Sequence, residues 1–381
     1  MTYLFENYGR WDLELVSGKG TLVMDKNEKK YLDFSSGIGV CNLGHCHPEV
    51  VAALTDQAKT LWHTSNLFKS SMQEEVAEQL TKYSEGNAVF FCNSGAEANE
   101  AAIKLARKYT GKSKIITFYQ SFHGRTFATM AATGQDKVKQ GFGAMLETFV
   151  HLPFNNIEAL EKEIDQETAA VMLEVIQGEG GVHPATKEFL QATERLCKEY
   201  GALLIIDEVQ TGIGRTGKPF AYQHYSISPD IMTLAKGLGN GIPVGAMIGK
   251  EKLKGAFTPG SHGSTFGGNP LAMSAAKATL KLIFQENLLI EVTEKGEYLV
   301  GKLEEIFSKC PTFKSIRHKG LMVGIEFSEE VVPLMAELRK NGLIVLNAGP
   351  HVLRLLPPLT VTKEEIDQAI EVMNSTLSQT V

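Results

Sequence analysis

Leu203-Leu204-Ile205-Ile206-Asp207-Glu208-Val209-Gln210 sets four unbroken apolar residues directly before two carboxylates. A strand that is apolar at every position is buried on both faces, the condition of a strand inside a parallel sheet covered by helices. The carboxyl end of such a strand faces the ligand crevice in open α/β sheets. Asp207 therefore reads as a buried carboxylate able to hold a cationic ring nitrogen, or equally as an Asp that caps the following turn.

Working outward, residues 88–91 read as a strand, and Ala98, Ala101, Ala102 and Leu105 repeat at the i, i+3, i+4, i+7 spacing of a helix. Further strands are expected at 114–118, 170–175, 231–234 and 246–248, with a helix at 189–200. Strands alternating with helices imply crossover connections, hence an α/β fold with a mostly parallel sheet. After Asn269 the texture changes. Helices are expected at 271–284 and 290–307, short strands at 321–327, 343–346 and 352–355, and a last helix at 363–377 opened by Thr362 and Glu365 as a capping box. This end reads as a smaller α+β domain. The N-terminal segment joins it, since 21–25 and 30–34 form a hairpin pattern around Lys26-Asn27-Glu28. The expected division is a large domain over 46–268 and a small one built from 1–45 and 269–381.

A chain of 381 residues has room for two domains at ~150 residues each. Its net charge of −6 leaves no basic footprint for nucleic acid, although a few placed cations can still bind small anions. No apolar run approaches the ~20 residues that span a bilayer. Residues 1–10 carry no apolar core behind basic residues. The five cysteines are scattered without a CxxC pair, which suggests neither a disulfide framework nor a zinc site. The expectation is a cytoplasmic protein with no membrane, nucleic-acid or metal partner.

Four more segments carry chemistry. Asn93-Ser94-Gly95-Ala96-Glu97 starts a helix with a Ser94 cap and small residues, so that a phosphate can approach the free N–H groups. Leu234-Ala235-Lys236-Gly237-Leu238-Gly239-Asn240-Gly241 ends a strand in a glycine-rich loop; desolvation there would free the lysine amine for Schiff-base chemistry. Gln120-Ser121-Phe122-His123-Gly124-Arg125-Thr126 offers a ring to stack on a flat cofactor and an arginine for a carboxylate. Gly260-Ser261-His262-Gly263-Ser264-Thr265-Phe266-Gly267-Gly268-Asn269-Pro270 combines glycines with hydroxyls, as a phosphate or substrate loop does. Read singly, each has an ordinary alternative: a well-capped helix, a surface lysine, a packed Phe beside a surface Arg, and a flexible hinge.

Taken in order, these segments resemble the class III (ornithine-type) aminotransferases of fold type I. The resemblance runs from Asp33-Phe34-Ser35-Ser36-Gly37 through Leu43-Gly44-His45 to Arg354-Leu355-Leu356-Pro357-Pro358, and the stretch from Asp207-Glu208-Val209-Gln210-Thr211-Gly212 to Lys236 is highly specific to that group. It implies that Lys236 carries pyridoxal 5'-phosphate as a Schiff base and shuttles the proton, while Asp207 pairs with the pyridine nitrogen. It places Gln210 near the phenolic oxygen, Phe122 on the ring with His123 beside it, and Ser94, Gly95 and Ala96 at the phosphate. Thr265 is implied to reach the phosphate of a neighbouring subunit, which makes a homodimer with shared sites. Arg125 is implied to bind a distal carboxylate and Arg354 the α-carboxylate of glutamate. Glu179, in Gln177-Gly178-Glu179-Gly180-Gly181, is implied to mask Arg354 while an ω-amine reacts. An aminomutase or decarboxylase on the same fold would have no glutamate half-reaction to gate, and a binding protein that had lost its chemistry would not need Lys236, Asp207 and Gln210 together.

The same resemblance bears on the donor. Ornithine enzymes place a tyrosine after the Ser-Ser pair to recognise the free α-amino group; here that position is Gly37. The absent side chain leaves room for an acyl group, which implies N-acetylornithine as donor, 2-oxoglutarate as acceptor, Ser264 beside the substrate, and a place in arginine biosynthesis. Arg10-Trp11-Asp12 and Cys41 depart from that branch of the family, which leaves ornithine, N-succinylornithine, N-succinyldiaminopimelate and 4-aminobutyrate open.

Overall fold

In the computed structural model, which describes residues 3–380, the apolar run at 203–206 lengthens to Leu203–Asp207, buried at every residue. It lies at the centre of a seven-stranded sheet. Numbered in chain order, the strands are β1 (Ala88–Cys92), β2 (Lys114–Phe118), β3 (Phe149–Leu152), β4 (Thr168–Leu173), β5 (Leu203–Asp207), β6 (Ile231–Leu234) and β7 (Gly245–Gly249). Their spatial order is β1-β7-β6-β5-β4-β2-β3. The pairs β6–β5, β5–β4, β4–β2 and β2–β3 are parallel. β7 runs antiparallel to both β6 and β1. The expected strand at 246–248 is thus present in the opposite direction. Only residues 235–244 separate it from β6, too few for the crossover of about a dozen residues that a parallel return needs.

The helix after β1, Gly95–Thr110, buries the predicted stripe of Ala98, Ala101, Ala102 and Leu105 and ends at Gly111, whose φ of 71° suits a residue without a β-carbon. Lys187–Tyr200 is capped by Thr186 Oγ1 and closed by Gly201 at φ 64°. Several elements lay outside the sequence reading, among them one edge strand and two helices. β3 is a half-buried edge strand of mixed polarity. The helices Pro48–Ala58 and Ser71–Lys82 did carry start signals, proline at the first position and a Ser70 cap respectively.

The ends of the chain form smaller sheets. Leu22–Asp25 pairs antiparallel with Lys30–Asp33, as the hairpin pattern implied, and Leu15–Lys19 joins them. The strand expected at 343–346 is a break instead. Leu343–Ile344 pairs in parallel with Leu32 and Asp33, whereas Leu346–Asn347 pairs antiparallel with Val352–Leu355. The chain changes sheets at the buried Val345, which an apolar run cannot reveal because both halves are apolar. The helices Pro270–Ile283, Glu286–Phe307 and Lys363–Thr380 match expectation, and Thr362 and Glu365 exchange both capping-box hydrogen bonds. No helix among the described residues is long and apolar enough to cross a membrane.

One buried arginine ties these parts together. Arg215 is fully buried and donates to Leu321 O (3.1 Å), Pro357 O (2.5 Å) and Asn42 Oδ1 (2.7 Å). Asn42 in turn donates to Ile213 O at 2.8 Å. No carboxylate pairs with the guanidinium among the described residues, and burial pulls it down to about 9, still charged at neutral pH. Arg215→Ala leaves three buried acceptors without a donor. At 1–3 kcal/mol for each unpaired group, the variant should lose about 3 kcal/mol or more. A urea midpoint equal to wild type, at unchanged slope, would remove Arg215 from this role.

Candidate active site

The carboxyl ends of β4, β5 and β6 and the start of helix Gly95–Thr110 converge on a cavity of about 420 Å³. Ten of the residues singled out from sequence line it: Ser94, Gly95, Ala96, Phe122, His123, Arg125, Glu179, Asp207, Gln210 and Lys236.

Asp207 is buried, and three donors hold it. Asn99 Nδ2 and His123 Nδ1 each reach Oδ2 at 2.8 Å, and Val209 N reaches Oδ1 at 3.0 Å. Burial alone would keep the His123 ring neutral; the hydrogen bond and charge of Asp207, with Glu174 nearby, leave its pKa above the ordinary value. His123 is thus a support for Asp207. Phe122 beside it is half-buried on the cavity wall, with the exposed Arg125 guanidinium 5.6 Å from its ring centre.

Lys236 follows β6 at a φ of 44°, a left-handed conformation that costs a residue with a β-carbon about 1–2 kcal/mol. The surrounding loop compels it. Asn240 Oδ1 accepts from Leu43 N (2.7 Å), Asn240 Nδ2 donates to Gly44 O (3.1 Å), and Asn42 packs where a β-carbon on Gly237 would stand. Desolvation, with Arg354 nearby, lowers the lysine pKa below 10.5 against the pull of Glu179, Asp207 and Glu174. A half-buried amine with a lowered pKa is suited to nucleophilic chemistry.

Arg354 is 2% exposed and meets Glu179 Oε1 at 2.7 Å through one nitrogen, which also donates to Gly178 O (3.0 Å) and Gln210 Oε1 (3.1 Å). Burial would raise the Glu179 carboxyl, but the charge and hydrogen bond of Arg354 hold it below its ordinary value. The pair, predicted from sequence as a mask and its arginine, is therefore formed.

Ser94 Oγ accepts from Glu97 N at 3.2 Å, and the Glu97 carboxylate accepts from Asn93 N at 2.8 Å. This is the expected capping box displaced by one residue. Ser94 Oγ also donates to Glu97 Oε2, so the hydroxyl is occupied in capping. The N–H groups of Gly95 and Ala96 have no acceptor among the described residues, and they face the cavity at the positive end of the helix. Gly95 has no room for a side chain, since a β-carbon there would stand 2.8 Å from Val209 Cγ1. The donor set suits an anionic group at one end of the cavity and a cationic nitrogen at Asp207.

Three expected residues lie apart from the lining. Arg354 stands behind Glu179 and Gln210. Ser264 is one hydrogen bond removed, its Oγ accepting from Asn93 Nδ2 at 3.2 Å. Thr265 is exposed. Gly37 is also absent from the wall, and Val40 lines it on that side. Sequence reasoning missed Asn99, Glu174 and Val209. Asn99 was legible as a polar residue beside a buried alanine stripe. Glu174, buried, accepts from Phe122 N (3.0 Å) and Gly178 N (3.2 Å), and its carboxyl is raised by burial. It was hidden because 170–175 was read as strand.

The family described as "Aminotransferase class-III" matches residues 6–377. The chain is similar to an acetylornithine aminotransferase of Bacillus subtilis (strain 168), 60% identical over 381 residues, which cover 99% of this chain and 98% of that protein. Among solved structures it is similar to the N-acetylornithine aminotransferase of Stenotrophomonas maltophilia K279a, at 37% identity and a TM-score of 0.87 over 98% of this chain and 97% of that one. It is also similar to an ornithine aminotransferase of Toxoplasma gondii with PLP at partial occupancy in its active site, at 32% identity and a TM-score of 0.93 over 98% and 92%.

The lowered Glu179 carboxyl has a signed consequence. A depressed folded-state pKa stabilises the protein above the ordinary value of 4.5, and that contribution is lost as pH falls through the lower one. The urea-midpoint difference between wild type and Glu179→Gln should stay flat over about pH 6–8 and shrink below about pH 4. A difference that grows on acidification would contradict an ionised Glu179.

Proposed function

The chain belongs to the class-III aminotransferases, and from that premise we propose that it transfers the δ-amino group of N2-acetylornithine reversibly to 2-oxoglutarate. The products are N-acetylglutamate 5-semialdehyde and glutamate, in the sense of arginine biosynthesis. The enzyme depends on pyridoxal 5'-phosphate, which supplies an electron sink for the carbanion left when the donor carbon loses its proton. The observation that carries the two-substrate reading is the Glu179–Arg354 pair beside Lys236. The likeness to acetylornithine aminotransferases supports the choice of donor.

The roles follow from the geometry. Gly95 and Ala96 offer backbone N–H groups to the phosphate. Asp207, oriented by its three donors, would pair with the protonated ring nitrogen. Phe122 and Val209 offer apolar surface to the ring. Lys236 Nζ would hold the cofactor and, when free, would carry the proton from the donor carbon to the cofactor carbon. Glu179 neutralises Arg354 while the acylated donor is bound, and swings away when glutamate brings an α-carboxylate for Arg354 to bind bidentately. Arg125, exposed at the mouth, suits the carboxylate at the far end of either substrate, with Ser264 near it.

A homodimer with shared sites fits the loop around Thr265. Asn66 Nδ2 donates to Ser264 O and Gly267 O, and Trp62, Leu67, Phe68 and Phe266 stand exposed around it. Such apolar exposure on adjoining segments suits a covered surface, and Thr265 would reach the partner's phosphate from it. In this reading the large domain spans 46–268 and the small one 1–45 with 269–381. Five unpaired cysteines suit the reducing cytoplasm.

Comparing kcat/KM for glutamate formation from N-acetylornithine, ornithine, N-succinylornithine and 4-aminobutyrate tests the donor. N-acetylornithine should lead ornithine by about 100-fold or more, the scale on which a mismatched polar group is rejected; a lead for ornithine or 4-aminobutyrate would refute the donor assignment and leave the transaminase intact. Lys236→Ala should abolish turnover and the borohydride-reducible lysine adduct together, and an adduct that persists would move the role to another lysine. Glu179→Ala should slow the N-acetylornithine half-reaction by about tenfold, with the glutamate half-reaction within about twofold. Equal losses in both would remove the gate.

A further inference from the structure

The loop that carries Glu179 lies across the sheet that carries Arg354, and a second arginine of that sheet holds it there. Phe313–Lys319, Met322–Phe327 and Val352–Leu355 are neighbouring antiparallel strands. Arg317 stands opposite Gly324, and Gly324 stands opposite Arg354. Residues directly opposite in antiparallel strands share a face, so the two arginines flank the glycine in one row. Val182 fills the room that Gly324 leaves, since a β-carbon there would stand 2.7 Å from Val182 Cβ.

The two arginines take the loop from its two ends. At the first, Arg354 donates to Gly178 O (3.0 Å) and meets Glu179 Oε1, while Gly178 N donates to Oε1 of the buried Glu174 (3.2 Å). At the second, Arg317 Nη2 donates to Gly181 O at 2.9 Å and Arg317 Nε to Val182 O at 3.2 Å. Arg317 Nη1 donates to Glu326 and to Ser315 Oγ, so all three nitrogens are engaged and the guanidinium is fixed in orientation. The hydrogen bond and charge of Arg317 hold the Glu326 carboxyl below its ordinary value. Between the two grips stand only Glu179 and Gly180, and a β-carbon on Gly180 would stand 2.5 Å from Gln120 O. The backbone of the loop cannot lift without breaking one grip, which leaves Glu179 to exchange by rotation of its side chain.

We propose that Arg317 is a positioning residue for the switch between substrates: by gripping Gly181 and Val182 it sets Glu179 against Arg354 while the acylated donor is bound. The inference rests on the two-substrate reading of the Glu179–Arg354 pair. Without the grip the loop rises from Gly324, Glu179 spends less time on Arg354, and an unpaired guanidinium stands beside the donor. Glutamate displaces Glu179 in any case and loses little.

The test uses the holoenzyme. It follows the two half-reactions separately in single turnovers, and reads hydrogen exchange of a peptide spanning residues 178–183 independently of turnover. Arg317→Ala should slow the N-acetylornithine half-reaction by about fivefold and the glutamate half-reaction by less than about twofold. In a Glu179→Ala background the same change should add less than about twofold, because both act through one contact. Exchange at 178–183 should quicken by about tenfold. Arg317→Lys keeps the charge beside Glu326 but cannot fork to two carbonyls. It should show the same pattern at smaller size, and it carries the test if the alanine variant does not fold. Equal slowing of both half-reactions, or a loss that adds in full to that of Glu179→Ala, overturns the positioning role. Unchanged exchange overturns the grip. If Glu179→Ala itself fails to separate the half-reactions, the two-substrate reading fails, and the exchange result alone decides whether Arg317 holds the loop.

Discussion

An ionised carboxylate taken out of water loses several kcal/mol of hydration unless its lone pairs find donors. Asp207 ends a strand that is buried along its whole length, and the surroundings are arranged by that cost. Its donors come from three places: Asn99 on the helix after β1, His123 on the segment after β2, and the backbone of Val209. Asn99 also donates to His123 O and accepts from Thr233 on β6. Satisfying one carboxyl group therefore fixes the helix start, the ring-facing segment and the strand before Lys236 relative to one another. The anion end and the amine end of the cavity are registered through a single carboxylate.

The two buried arginines divide a labour that their environments decide. Arg354 is bound to a carboxylate on a side chain still 30% exposed, between Gly178 and Gly180, so its partner can leave and another anion can replace it. Arg215 is bound only to two backbone carbonyls and a side-chain amide that is itself pinned. None of those can leave without unpacking the chain. The same side chain is an exchangeable anion site in one place and a fixed tie in the other, because the acceptors differ in mobility.

Much of this was legible in the residues. Strands buried on both faces show as unbroken apolar runs, so β2, β5 and β6 were placed within a residue or two. Capping residues located the helix at Gly95 and the one at Lys363. Ten cavity residues could be named, some because strand ends and helix starts in this fold class point one way, and others, Glu179 and Gln210 among them, only through the resemblance to the class III aminotransferases. What stayed hidden depends on tertiary partners. The direction of β7 follows from a short return loop, the split at Val345 from two sheets competing for one apolar run, and the burial of Glu174 from backbone donors more than fifty residues away at Phe122. Arg215 reads in sequence as one more charged loop residue, and only the packed structure shows that no acidic side chain among the described residues pairs with it.

The reversed strand β7 also bears on how the chain reaches its native state. β1 touches the rest of the sheet only through β7, so the strand at Ala88–Cys92 has no hydrogen-bonded neighbour until Gly245–Gly249 has been made. β2, β3, β4, β5 and β6 can pair among themselves during that interval. The hairpin at Leu22–Asp25 and Lys30–Asp33 waits longer still for Leu343–Ile344. Contacts of such sequence separation close slowly and leave strand edges open in the meantime. During synthesis the strand that leads into the anion end of the cavity is therefore made early and paired late: it emerges by residue 92 and stays without a sheet neighbour until residues 245–249 follow.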